Sequence, residues 1–539
     1  MSDGGRTRRE FLRDGGLVAL GAAALSAGPR WAGGPRLVRA AGPVKGGVLK
    51  VAQIGDPPTL DCMATTADVT ATDTQSMLES LFALDAKGVP QPMLATAEQW
   101  SNGNLPLTMP LRQGVTFHDG SPMTAADVVA SLKRWLKLAS LGQETAAEVK
   151  DITAKDDRTV VIQLAHPVGL LTSYLANPNN MAAIMPRGLL EQHGDKPVPT
   201  PIGTGPYRLA EWKPDAHIKL VRWDKYVPVS QPPSGYAGQR IAYLDEVQIL
   251  PIPDGNTRLA GLQSGQFDVA FQISADQYAQ VTGSPSLTPQ IVKPDSWLIF
   301  NLNKKMRMFT NPKLRLAFLK AIDCKPVMEA AFGPPEFWSI ASPTIGYLAY
   351  QDDTTGAPAY NHPDTTGAKA LLKEAGYDGS PIVWLGTKNY EWMYKASLVA
   401  KEQLEAVGFK VDLQIMDWAT LVQRRAKPES YDVFQTGMGG TPAIPTAMNA
   451  IVSEKWPGFW ASAKKDAAIQ KFNTSVGLAD RKAAWSEVQR LFYDEVVAVK
   501  VGDFYSLNAT QKRVQAYNNI DYPPFQVALC FKTFLVKTL

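Results

Sequence analysis

The stretch that decides the fold class is Pro381 to Met416, "PIVWLGTKNYEWMYKASLVAKEQLEAVGFKVDLQIM". "PIVWLG" is a short apolar run rich in β-formers and reads as a strand. Trp392 to Val407 reads as a helix, with Val399, Leu404 and Val407 inward and Gly408 as its left-handed stop. "FKVDLQIM" then alternates, with Phe409, Val411, Leu413 and Ile415 expected inward. Strand, helix and strand at this spacing make a parallel βαβ unit, so the chain is α/β.

Working outward, the late part of the chain keeps this texture. "NPKLRLAFLKAID" places Asn311 as N-cap and Pro312 at the first helical position, with Leu314, Phe318, Ala321 and Ile322 as the apolar stripe. The early part is richer in strands. Val48–Ile54, Tyr207–Trp212, Ile218–Arg222, Glu246–Pro251 and Phe267–Phe271 are expected as strands, as is "TVVIQLAHPV", whose Val160, Ile162 and Leu164 share one face. "DVTATDTQSMLESLFAL", Asp68 to Leu84, reads as one helix.

The first 40 residues stand apart. "TRREFL", Thr7 to Leu12, has the twin-arginine export pattern, and "GGLVALGAAALSA" follows it. That apolar run is 13 residues long, short of the roughly 20 a membrane span needs, so it reads as the core of a signal peptide. "VRAAG" offers small residues for cleavage between Ala40 and Ala41. The leader holds seven Arg and three acids, and the chain after it has 48 basic and 48 acidic side chains. The basic balance of the whole chain is therefore an export feature, and no nucleic-acid partner is expected. Three Cys (Cys62, Cys324, Cys530) form neither a disulfide framework nor a C-x-x-C pair.

Candidate chemistry is sparse. In "VTFHDGSPMTAADVV", Val115 to Val129, His118 beside Asp119 suggests an exported hydrolase. Yet Asp119-Gly120-Ser121-Pro122 is turn chemistry, and Thr124 with Asp127 is a capping box for a helix whose Val128, Leu132, Trp135 and Leu136 share a face. No metal-ligand spacing accompanies His118. "GTGPYR" lacks the third Gly of a dinucleotide loop, and "YDVFQTGMGGTP" lacks the Lys-Ser/Thr of a P-loop. The Gly-rich backbone of the latter still allows close approach of a ligand.

Five motifs, in one order, carry a resemblance. "LRQGVTFHDGSPMTAADVVASLKRW", "PIGTGPYRLAEWKPDAHIKLVRWDKY", "LAGLQSGQFDVAF", "NPKLRLAFLKAID" and "AKALLKEAGYDG" resemble the family 5 extracellular solute-binding proteins, the dipeptide-, oligopeptide- and nickel-type binding components of ABC importers. The resemblance spans about residues 45 to 535. It implies a two-lobed α/β protein (class II, cluster C type) that closes on a solute, with no catalysis and no cofactor. Lobe I would comprise 44–83, 200–295 and 500–539, with an additional domain at 84–199, and lobe II 296–499. It implies a monomer in the periplasm that serves membrane permease subunits.

In peptide-binding relatives the loop after the "YDVF" strand carries an acid for the ligand's amino terminus. "GMGGTPAIP", Gly437 to Pro445, has none, which argues against ordinary free-amine peptides, since an unpaired buried ammonium is costly. No His follows His362, which argues against a nickel-chelate site. Matched to family positions, the ligand-binding candidates are Tyr390, Trp392, Trp418, Arg425, Met438, Gly439, Gly440, Thr441, Phe504 and Tyr505. Their aromatics offer apolar area with a polar handle, and Arg425 a fork for a carboxylate. The expected solute is peptide-like, or small, carboxylated and partly apolar. A chaperone-like binder of unfolded chains is the remaining alternative.

Overall fold

The computed structural model describes residues 43–517 and 533–535, apart from 102, 104, 347, 440–444 and 446–450. The leader, Cys530, and the candidates Gly440 and Thr441 lie outside the described residues.

The frame is one mixed sheet. From one edge its strands run Val411–Met416, Ile382–Thr387, Val433–Gly439, Leu287–Leu302, Ala498–Gln511, Val269–Ile273, Val48–Gln53, Glu246–Pro251, His217–Arg222 and Tyr207–Lys213, with Trp338–Ser339 beside Ala498–Gln511. The predicted βαβ unit is present: Ile382–Thr387 pairs in parallel with Val411–Met416 along its whole length. The Glu391–Val407 helix connects them and ends on Gly408 in the left-handed conformation. Its buried face is Met393, Ala396, Ser397, Ala400, Leu404 and Val407, with Val399 only half-buried. Ile415 is 40% exposed rather than inward. Its partner on the neighbouring strand is Gly386, which has no side chain to cover it, and among the described residues no strand lies on its other side.

Two long strands hold the halves together. The chain leaves the first half through Leu287–Leu302 and returns through Ala498–Gln511. These two pair antiparallel, with register shifts between Val292 and Ser296 and between Leu298 and Ile299. Such bulges bend a ladder locally, and here they fall where the sheet passes from one half to the other.

The expected helix from Asp68 to Leu84 is a correction. It ends at Thr74, and Phe82–Leu84 is a strand. The carbonyls of Ser76 and Met77 accept from Tyr207 and Gly205 instead of from their own helix. A run of Thr has low helix propensity, and tertiary partners override it. The other early strands stand within two residues of expectation except that Thr159–Leu164 stops short of the expected Val168, and its Val160, Ile162 and Leu164 face is buried. That strand lies in a separate antiparallel sheet of Gln99–Trp100, Pro106–Pro110, Thr159–Leu164 and Val149–Asp156.

The helix Ala125–Leu138 packs beside this small sheet. Its capping box is formed, with Asp127 Oδ2 accepting from the Thr124 amide at 2.9 Å. Val128, Leu132 and Trp135 are buried. Arg134 from the same helix pairs with Asp61 at 2.6 Å, both side chains buried. Cys62 and Cys324 are free and buried, and burial pushes both thiols up. Among the described residues no helix is long and apolar enough to cross a membrane.

Candidate ligand-binding site

His118 is not poised for catalysis. Its Nε2 lies 3.0 Å from the Gly205 carbonyl, and its Nδ1 accepts from the Gly203 amide at 3.3 Å. Both ring nitrogens are thus spent on backbone, which fixes the neutral tautomer with the proton on Nε2. Burial pushes its pKa down to about 4. Asp119 is occupied too, accepting from the amide and the hydroxyl of Ser121. Among the described residues no group of three or more His, Cys, Asp or Glu is placed to hold a metal ion.

The sheet points to a different place. Ile382–Thr387, Val411–Met416 and Val433–Gly439 run parallel, so their carboxyl ends share one edge. In open α/β sheets ligands bind outside such carboxyl ends. The loops that follow carry the candidates: Tyr390 and Trp392 after the first strand, Trp418 after the second, and Gly439 at the end of the third. On the neighbouring strands Ser296 lies opposite Gly439 on one side and Phe504 on the other. Phe504 and Tyr505 therefore stand in the same row as Gly439, beside the bulge at 293–295.

The side chains of this edge form a continuous row. Arg425 covers the Trp418 ring at 5.4 Å, and Trp418 meets Tyr390 edge-on at 5.2 Å. Tyr390 and Trp392 are 6.1 Å apart, and Trp392 and Phe504 5.2 Å. Phe504 then stacks on Phe332 at 4.5 Å with 12° between the planes, and Phe332 also stacks on Trp392. Gly437 makes room for them, since a Cβ there would stand 3.1 Å from the Phe504 ring and 3.4 Å from Trp392.

Arg425 occupies its own box. Besides Trp418 it lies over Phe434 at 5.1 Å and Trp456 at 5.7 Å. Among the described residues it has no hydrogen bond and no ion pair, and burial lowers its pKa. Phe434 and Gly437 face opposite sides of their strand, so Arg425 and the Trp392–Phe504 stack lie on different faces, joined through Trp418 and Tyr390. Met438 shares the face of Phe434 and is only 6% exposed, packed in the main core. Gly439 is exposed.

A second candidate region lies in the first half. A cavity of about 420 Å³ is lined by Gly255, Asn256, Gln272, Ser274, Tyr505 and Ser506 among others. It sits at the carboxyl ends of that half's parallel strands, Val48–Gln53, Glu246–Pro251 and Val269–Ile273. Tyr505 faces it, with burial raising its phenol and Lys293 over its ring at 5.2 Å. Sequence reasoning missed Phe332, Phe434 and Trp456. Each is an unremarked apolar residue in its own segment, and nothing local marks it as part of a ring cluster.

Comparison with known proteins bears on the same chain. The pattern of the bacterial extracellular solute-binding proteins, family 5, matches residues 89–458. A probable peptide ABC transporter periplasmic-binding protein, y4tO of Sinorhizobium fredii, is 33% identical over 82% of this chain and 86% of its own length. The glutathione-binding protein GsiB of Salmonella typhi is 28% identical over 81% of this chain and 86% of its own. Among solved structures, AgaA of A. tumefaciens R10 in complex with agropinic acid superposes with a TM-score of 0.71 at 25% identity, covering 92% of this chain and 99% of that one. The substrate-binding protein CtaP of Listeria monocytogenes reaches a TM-score of 0.78 at 22% identity, over 92% of this chain and all of that one. The architecture is thus the two-lobed α/β fold of periplasmic binding proteins, and no enzymatic activity goes with it. The chain belongs to the family 5 bacterial extracellular solute-binding proteins and serves as the solute-binding component of an ABC importer.

Proposed function

We propose that the chain captures a small, carboxylated, partly apolar solute, peptide-like or derived from an amino acid, and delivers it to the permease subunits of its importer. The observation that carries this reading is Arg425, a guanidinium boxed by Trp418, Phe434 and Trp456 with no acidic partner among the described residues. A weakly hydrated, planar cation held by rings is suited to a carboxylate in bidentate geometry. The row Tyr390, Trp392, Phe504 and Phe332, joined to it through Trp418 around the strand end, supplies the apolar surface.

In this reading lobe I is 44–83, 200–295 and 500–539, carrying the additional domain 84–199, and lobe II is 296–499. The bulged strands Leu287–Leu302 and Ala498–Gln511 act as the hinge. Gly439, at the end of its strand, brings backbone to the solute. The loop Gly437–Pro445, free of acids, supports a ligand without a free ammonium. The likeness to AgaA with bound agropinic acid supports a non-peptide acid. Residues 1–40 direct export through the twin-arginine route, and the mature protein works as a periplasmic monomer. Native mass spectrometry of the purified mature protein tests the reading: a retained carboxylic acid is expected, and a retained free-amine peptide would overturn it.

A further inference from the structure

In the lobe assignment proposed above, residues 84–199 and 296–499 belong to different lobes, and Gly169 is a place where they touch. Its amide donates to the Asn473 carbonyl at 2.7 Å, and its own carbonyl accepts from Arg481 Nη1 at 2.7 Å. Arg481 lies on the helix Leu478–Asp494 and is 7% exposed. Its other donors stay on its own side. Nε reaches the Tyr350 hydroxyl at 3.0 Å, and Nη1 also reaches the carbonyls of Ser475, at 3.2 Å, and Val476. Among the described residues no carboxylate pairs with it. Ser475 caps the carboxyl end of the helix Ala463–Thr474, whose end carries partial negative charge, so the cation rests on carbonyl dipoles.

The approach is tight from the other side as well. A Cβ on Gly169 would stand 1.8 Å from the Ser475 oxygen and 2.6 Å from its carbon. Gly169 has no left-handed φ, so alanine suits its own backbone and is excluded only by this contact. The bridge is also narrow. On one side lies a cavity of about 520 Å³ lined by His166, Val168, Tyr174 and Asn473 among others. On the other lies one of about 160 Å³ lined by Thr172, Ser173, Tyr350 and Arg481 among others.

We propose that Gly169 and Arg481 form the latch that holds the two lobes closed, setting how long solute is retained without touching it. The inference rests on the lobe assignment above, which puts 84–199 and 296–499 on opposite lobes. Arg481 keeps the Ser475, Val476 and Tyr350 acceptors when the lobes part, so its socket is pre-formed. Opening frees one carbonyl and one amide at Gly169, both of which water satisfies. The geometry therefore makes a reversible contact, and Arg481 a positioning residue for closure.

Amide hydrogen exchange and small-angle X-ray scattering on the protein as purified test this. Slow exchange at the Gly169 amide of the wild type is expected. Gly169→Ala is expected to raise the open-to-closed ratio about tenfold, the scale of a charge-assisted hydrogen bond, seen as a larger radius of gyration with unchanged circular dichroism. Exchange at the Gly169 amide as fast as in an exposed loop would overturn the latch, and so would scattering from a folded Gly169→Ala identical to wild type. The wild-type exchange decides the matter even where the variant fails to fold. Both readouts are independent of solute identity, so a wrong ligand assignment would leave them standing.

Discussion

Trp392 and Phe504 meet at 5.2 Å although one follows a strand of the second half and the other lies on the strand that returns to the first. Phe504 is in register with Ser296 beside the bulge, so under the proposed function this contact ties the solute-binding edge to the hinge. Under the proposed function, a ring stack in that position gives the solute an apolar wall that forms with the fold itself.

Replacing either ring should therefore weaken binding without unfolding the protein. Trp392→Ala and Phe504→Ala are each expected to cost about 1–3 kcal/mol of solute affinity, the scale of losing most of a buried aromatic contact. Because the rings touch, the double variant should lose less than the two singles together. Calorimetric titration with the solute identified by mass spectrometry checks both points.

Gly437 is needed for the stack. A Cβ there would crowd Phe504 at 3.1 Å and Trp392 at 3.4 Å, so Gly437→Val should push both rings aside. About a tenfold loss of affinity, near 1.4 kcal/mol, with a small change in the urea midpoint is expected. Unchanged affinity would remove the stack from the site.

His118 makes stability depend on pH in a defined direction. Its folded pKa, about 4, is depressed below the ordinary value of 6.5. The stability it contributes is therefore full above pH 6.5 and lost as pH falls through about 4. Protonating Nδ1 removes the acceptor of the Gly203 amide. On the order of 2 kcal/mol should go, allowing for partial solvation of the ring. Urea midpoints measured from pH 7 to 4 should fall more steeply in the wild type than in His118→Gln.

Arg134 joins the helix Ala125–Leu138 to Asp61, and its Nε and Nη2 also reach the carbonyls of Gly194 and Lys196. Arg134→Met leaves Asp61 buried without its cation and should cost about 3–5 kcal/mol. Pairing it with Asp61→Asn should recover part of that loss. A double variant no more stable than the single would contradict the pairing.

Legibility in the sequence followed the range of the interactions. The strand–helix–strand order of Pro381–Met416, the Asn311 cap and the Thr124–Asp127 box are local, set by periodicity and caps within a few residues, and they stand in the fold as read. Asp68–Leu84 was misjudged because Gly205 and Tyr207, distant in sequence, take the carbonyls of Met77 and Ser76. Ile415 is left uncovered because its strand neighbour is Gly386 on an edge pair, which no pattern within the strand encodes. The candidates divide in the same way. Tyr390, Trp392 and Phe504 do come together, but Arg425 sits in a box whose other members, Phe434 and Trp456, come from separate segments.

The most direct test of the central claim is a thermal-unfolding screen of the mature protein against carboxylic acids, blocked peptides, opine-type acids and free-amine peptides. A solute that binds only the folded state adds about 2.7 kcal/mol at a hundred times its Kd. A carboxylated solute without a free ammonium is predicted to give that stabilisation, and Arg425→Gln to weaken it by about ten- to hundredfold in affinity. Tight stabilisation by free-amine peptides with all other classes inert, or a response unchanged in Arg425→Gln, would contradict the account.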